Sequence, residues 1–194
     1  MNEEQVETAG PPAERPPREP LPRLGDGVIL RRLAVTDLAA FQAYRHDAEL
    51  GRYQGWSAVS DEEAAAFLAQ AGAAPLLQPG EWAQIGIARP GDDTLLGDIG
   101  LFLASDGVYA EIGYTLSRAA QGQGLATRAV REAIALVFEH TPAERVIAIT
   151  DDRNSPSIRL LERAGLHRIA TDEALFRGEP CLEHTYAIAR PPGG

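Results

Sequence analysis

Gln121-Gly122-Gln123-Gly124-Leu125-Ala126 joins an apolar strand to a strongly helical run, and the reading of this loop decides the fold. Gly122 and Gly124 lack a Cβ, so the backbone there can take up positive φ. Several unpaired N–H groups, backed by the positive end of the helix dipole, then face one anionic group. The run that follows, from Ala126 to Glu139, spaces Val130, Ile134, Val137 and Phe138 along one face, with Arg128, Arg131 and Glu132 between them. That face packs and the N-terminus stays open, as a pyrophosphate cradle requires.

Two familiar phosphate loops fit less well. A Walker loop ends in Gly-Lys-Ser/Thr, and the chain has no lysine; Gly122-x-Gly124-x-x-Thr127 only approaches the dinucleotide pattern G-x-G-x-x-G. The strand before the loop, Val108 to Leu116, alternates polar and apolar residues, which suits a mixed or antiparallel sheet better than a parallel dinucleotide-binding unit.

Taken with its surroundings, the loop resembles the acyl-CoA-binding segment of the GNAT (GCN5-related) N-acetyltransferase superfamily, Q/R-x-x-G-x-G/A, with Gln121, Gly124 and Ala126 at the fixed positions. Glu111-Ile112-Gly113-Tyr114 is similar to the family's cleft strand. Asn154-Ser155-Pro156-Ser157, running on to Ala164-Gly165-Leu166, is similar to its N-x-x-S/A helix. Within the superfamily the chain most resembles the RimJ/RimL-like branch, over about 28–189.

The resemblance implies an α/β (α+β) GNAT fold: a central mixed, mostly antiparallel sheet with one splayed parallel strand pair, flanked by helices. It implies acetyl-CoA as co-substrate, held by Gln121, Gly122, Gln123, Gly124, Leu125, Ala126 and Thr127. Its pantetheine arm would pair with backbone near Ile112, Tyr114 and Leu116, and Asn154 would contact it or order the strand-to-helix turn. Gly113 eases close approach, or marks a bulge or tight sheet contact.

Acetyl transfer needs a neutral amine within about 3–3.5 Å of the carbonyl carbon, an oxyanion contact and a proton for the departing thiolate. Glu111 is the candidate proton acceptor; its other reading is a surface carboxylate on the polar side of its strand. Backbone N–H near Ile112 or Gly113 is the candidate oxyanion donor. Many family members carry a tyrosine acid four residues after the S/A position, but here that residue is Leu161. Ser157 is the candidate replacement, with helix capping as its alternative role. Glu173, read as lying in a loop before Arg177-Gly178, falls near a second base proposed for RimL-like enzymes.

Composition bounds the rest. The chain of 194 residues, 44% hydrophobic, suits one N-acetyltransferase domain over 25–194 behind a proline-rich arm at 1–24. The arm lacks a leader-like apolar core, and no apolar run reaches a bilayer span, so a soluble cytoplasmic protein is expected. Cys181 is the single cysteine and reads as a packing residue. His46, His140, His167 and His184 are scattered, so no metal is expected.

A net charge of −10 argues against nucleic acid as partner. A polyanionic cofactor then needs local compensation, expected from Arg118, Arg128 and Arg131 at the loop and Arg153, Arg159 and Arg163 at the second motif. The remaining acidity suits a cationic acceptor or serves solubility alone.

The element order read from the chain is β-α-α-β-β-β-α-β-α-β-β. Thr36 is expected to cap the first helix, and Ser60-Asp61-Glu62-Glu63 opens the second as a capping box. Late strands are expected near 166–170 and 182–189, and Trp82 is expected in the core. Arg52-Tyr53-Gln54-Gly55-Trp56 is the candidate acceptor wall, with Tyr53 and Trp56 also fitted to anchor their loop. The expected acceptor is a primary amine, foremost a protein N-terminal amine, with a small amine such as an aminoglycoside or polyamine as rival. Leu161 keeps a non-catalytic acyl-CoA-binding module in view, and monomer and homodimer both stand.

Overall fold

Strand-forming residues dominate the observed architecture. The computed structural model describes residues 20–192 and gives the order β1 (Arg23–Gly25), β2 (Val28–Arg32), α1 (Leu38–Arg45), α2 (Ala48–Gly51), α3 (Asp61–Ala73), β3 (Trp82–Ala88), β4 (Leu95–Leu103), β5 (Tyr109–Leu116), α4 (Leu125–His140), β6 (Arg145–Asp151), α5 (Ser155–Ala164), β7 (His167–Phe176) and β8 (Glu179–Ala189). The strands form one sheet in the order β1-β2-β3-β4-β5-β6-β8-β7. Every neighbouring pair is antiparallel except β5 and β6. The expected mixed, mostly antiparallel sheet is therefore present.

Helices cover both faces. The helix α4 buries Ala129, Val130, Ala133, Ile134, Leu136 and Val137. With Leu160, Leu161 and Ala164 of α5 they join the sheet residues Leu30, Ile85, Ile99, Ile112 and Val146 in the larger core. On the other face Phe41 and Tyr44 of α1 and Ala64, Leu68 and Ala71 of α3 meet Leu33 and Leu95 in a second cluster. Burial of this apolar surface, at roughly 25 cal/mol per Å², is what holds the layers together.

Local chemistry fixes the ends of the elements. Ser60 and Glu63 form the expected reciprocal box on α3, with the Glu63 carboxylate accepting the Ser60 amide at 2.9 Å. The α1 boundary differs from expectation. A 3-10 turn at Val35–Asp37 precedes the helix, because Asp37 accepts the Ala34 amide at 2.9 Å and pairs with Arg31. Thr36 is inside that turn and caps nothing.

Three further expectations change. Residues 1–19 of the expected arm lie outside the described residues. Its last positions enter the sheet, since Leu21 is buried and Arg23 of β1 pairs with Glu132 and Glu139 on α4. The two late strands are longer than read and form one hairpin that turns at Arg177 and Gly178, both at positive φ. Trp82 is 55% exposed and packs on Phe102, because it is the first residue of β3 and lies ahead of the strand's buried stretch. Among the described residues no helix is long and apolar enough to cross a membrane.

Candidate active site

The parallel pair β5–β6 holds together for only three positions, Tyr109, Ala110 and Glu111 against Arg145, Val146 and Ile147. Beyond them β5 stays paired with β4 through Leu116, and β6 stays paired with β8 through Asp151. The two strands part, and a gap opens between them. The direction of the backbone groups follows from the ladder. Ala104 donates to the Tyr109 carbonyl and Ser117 to the Leu96 carbonyl, so the odd-numbered residues of β5 bond to β4. The main-chain groups of Ile112, Tyr114 and Leu116 therefore face the gap. Those of Gly113 face β4, which leaves Ile112 as the amide of the two that is directed inward.

A cavity of about 350 Å³ occupies this gap. Its walls include Ile112, Tyr114 and Leu116 from β5, Ala148 and Thr150 from β6, Asn154, Ser157 and Leu161 around α5, and Arg52, Tyr53 and Gln54 from the segment after α2. Gln121 closes one end, with its side-chain amide donating to the Leu116 carbonyl at 3.0 Å.

The glycine loop continues from Gln121 onto open surface. Gly122 and Gly124 both have φ of +75°, and Gly124 is the N-cap of α4 without any side-chain cap. At this helix start Arg128 donates to the Gly124 carbonyl, and among the described residues the preceding amides, from Gly122 through Leu125 and Ala126 to Thr127, have no acceptor. A Cβ at Gly122 would meet nothing within 4 Å, and one at Gly124 only Arg128 Nη2 at 3.9 Å. Bare amides, positive φ and open space are what a diphosphate needs. Gln123 is turned aside, its amide donating to the Ala119 carbonyl at 3.1 Å.

Four of the six arginines expected to compensate that charge are already engaged. Arg118 pairs with Asp47, whose carboxyl it holds down at about 2, and Arg128 lies 3.2 Å from Asp26. Arg131 donates to the Arg163 carbonyl, and Arg153 pairs with Asp151 at 2.6 Å. Arg118 and Arg128 are substantially exposed, so exchanging their carboxylates for a phosphate costs little, whereas Arg153 is held by the buried Asp151.

The candidate catalytic residues separate. Ser157 lies in the cavity wall, and its Oγ is 2.8 Å from the Tyr114 hydroxyl. It does not cap α5. The Asn154 side chain does that, accepting the Ser157 amide at 3.3 Å. Burial pushes the Tyr114 phenol up to about 12, partly offset by its hydrogen bond with Ser157. Glu111 is half-buried and is not among the wall residues. Strand alternation turns it, with Thr115, to the face opposite Ile112 and Tyr114. Burial raises its pKa, and the charge of Glu183 on β8 raises it further. Glu173 lies within β7, paired with Leu182, rather than in a loop; it lines a separate depression with Arg153 and Cys181. Burial also raises the Cys181 thiol, which disfavours its thiolate.

The acceptor side is built by contacts that sequence reading missed. Gln54 donates to the Tyr114 carbonyl at 3.2 Å, and Trp56 Nε1 donates to Thr115 Oγ1 at 3.3 Å. The Trp56 ring lies over the guanidinium of Arg45, which is buried against Asp98. Arg177 at the hairpin tip donates to the carbonyls of both Gln54 and Trp56. These partners are distant in sequence, and no local pattern announces them. The composition of residues 52–56 was the one available signal.

The family model described as an acetyltransferase (GNAT) domain matches residues 28–167. The probable N-acetyltransferase YjcK of Bacillus subtilis is 37% identical over 94 residues, covering 47% of this chain and 52%, about half, of that protein. The uncharacterized N-acetyltransferase YoaA of the same organism is 28% identical over 169 residues, 86% of this chain and 95% of that one. Among solved structures, RimL, a ribosomal L7/L12 alpha-N-protein acetyltransferase in complex with coenzyme A, superposes with a TM-score of 0.72 at 18% identity, over 84% of this chain and 94% of that one.

Proposed function

This chain belongs to the acetyltransferase (GNAT) family and is an acetyl-CoA-dependent N-acetyltransferase, and on that premise we propose that its acceptor is a protein N-terminal amine. The observation that carries this reading is the bridge from Arg177 to the carbonyls of Gln54 and Trp56. It ties the β7–β8 hairpin to the segment after α2, so an acceptor reaches the gap end-on, with its amine leading. The terminus of an extended chain meets that requirement. The likeness to RimL supports the same acceptor class.

In this reading the free amides of residues 122–127 hold the diphosphate, and the gap-facing edge of Ile112, Tyr114 and Leu116 holds the pantetheine amides. When bound, acetyl-CoA supplies an activated acyl group. The Ile112 amide stabilises the oxyanion, Glu111 takes the proton of the amine directly or through water, and Ser157 supplies the proton to sulfur.

Glu111 and Glu183 lie on the same side of the sheet, near enough for their charges to interact, and favour a second reading, a cationic small amine. Mass-spectrometric detection of acetyl transfer to peptides with varied first residues, beside spermine and kanamycin, separates the two. Acetylation confined to peptide α-amines supports the first, and turnover of the small amines alone overturns it.

A further inference from the structure

Leu161 lines the cavity and brings no proton to it, yet the opposite wall holds a phenol. Tyr114 on β5 reaches across to α5, where its hydroxyl lies 2.8 Å from Ser157 Oγ and 3.4 Å from the Ser157 carbonyl oxygen. The phenol has one proton to give, and the shorter of the two contacts is the one to Oγ, so that proton is directed at the serine oxygen rather than at the more distant carbonyl. Capping makes no claim on Ser157, because Asn154 satisfies the amide there. A serine oxygen that receives a hydrogen bond keeps its own O–H free to point elsewhere, and here the open direction is the gap.

We propose that Tyr114 acts in acyl transfer through Ser157: its phenol donates to the serine oxygen and leaves the serine proton aimed at the departing sulfur. The proposal rests on the reading of the gap as the thioester site. It makes Tyr114 a positioning residue and replaces a tyrosine on α5 with one on the facing strand, acting at one remove.

The step balances without a further reactant. The N–C bond forms and the C–S bond breaks, with sulfur keeping the bonding pair. Sulfur takes the Ser157 proton, and Ser157 Oγ recovers one from the Tyr114 hydroxyl. Glu111 takes the proton shed by the attacking nitrogen and releases it to water, and water restores a proton to the phenol oxygen. Burial supports the first position in this relay, since it keeps the phenol protonated throughout the working pH range.

The test uses CoA itself, so that no acceptor need be known. The thiol of bound CoA is titrated by its thiolate absorbance in the wild type, Tyr114→Phe, Ser157→Ala and the double variant, with affinity measured by calorimetry. The charged groups lining the same cavity, Glu49, Arg52 and Arg118, are common to all four proteins and cancel. A donor to the thiolate should lower the wild-type titration by about one pH unit relative to Tyr114→Phe. Ser157→Ala should match Tyr114→Phe, and the double variant should add nothing, because the pair works as one unit. Equal titration in the wild type and Tyr114→Phe, or shifts that add, overturns the proposal while leaving the cofactor site intact. Failure of the wild type to bind CoA overturns the site reading and the proposal together. Tyr114→Phe keeps the ring, so a purely structural role would show only in its thermal midpoint.

Discussion

Arg177 Nη2 lies 2.9 Å from the main-chain oxygen of Trp56, 121 residues away in sequence, and this contact joins two segments that share no secondary structure. The turn that presents Arg177 has φ of +52° there and +81° at Gly178, the left-handed pair that a two-residue hairpin requires. Trp56 is held in turn by Thr115 and by the Arg45 guanidinium 4.5 Å from its ring. Arg177→Ala should raise the acceptor KM by about 3- to 10-fold, the worth of one net hydrogen bond, with CoA affinity unchanged. Steady-state kinetics with a peptide acceptor that has a free α-amine checks this, and an unmoved KM removes the hairpin from the acceptor wall.

Gly124→Val should cut CoA affinity by at least about tenfold, because a branched side chain would stand over the amides of the α4 N-terminus and the residue must keep φ of +75°. The fold has room for the Cβ, so the cost in folding is the backbone strain, about 1–2 kcal/mol. Gly124→Asn is the control: asparagine tolerates this conformation, so its fold should hold while the cradle is still crowded. Calorimetry and thermal melts separate binding from stability.

The α4 stripe, the Ser60–Glu63 box and the glycine loop were legible because each is a local pattern whose physics acts within a few residues. The parting of β5 from β6 was readable only through family resemblance. Thr36 was misread because the tie from Asp37 to Arg31 competes with a simple cap. The Tyr114–Ser157 pair could not be read at all, since its partners lie 43 residues apart and meet only when α5 folds back on the sheet. Glu173 was placed in a loop because its run of mixed polarity gives no period-two signal.

Glu111 should show itself in the pH profile. The base form must be deprotonated, so the rate rises through its pKa, which burial and then Glu183 displace above the ordinary carboxylate range. Glu111→Gln should flatten that limb, and Glu183→Gln should move it to lower pH. For stability the sign is opposite to that of a paired carboxylate. A pKa raised in the folded state gives a contribution fully present below the unfolded pKa and lost as pH rises through the folded one. Glu111→Gln should therefore be neutral or slightly stabilising at pH 7. An unchanged rate profile excludes Glu111 as the base.

Asp98 is buried with Arg45 at 2.9 Å, and the hydroxyl of Tyr44 and the amide of Gln84 also donate to it. Asp98→Ala leaves the Arg45 charge without its counterion and should cost about 3–5 kcal/mol in urea unfolding. Arg45 also supports Trp56, so the surviving folded protein should show a raised acceptor KM. A loss under about 1 kcal/mol would mean that water reaches the pair.

Gln54 holds the Tyr114 carbonyl at 3.2 Å, on the same edge of β5 that faces the gap. In the cofactor reading a pantetheine amide seeks such a carbonyl, so Gln54 must give it up before acetyl-CoA seats fully. Gln54→Ala removes that competing bond and should tighten CoA binding by about 2- to 10-fold, the equivalent of one net hydrogen bond. The Gln54 main-chain oxygen and its bond from Arg177 are untouched by the change, so the hairpin contact should persist. Calorimetry at fixed ionic strength decides the matter: weaker binding would mean that Gln54 serves the cofactor directly rather than standing in its place.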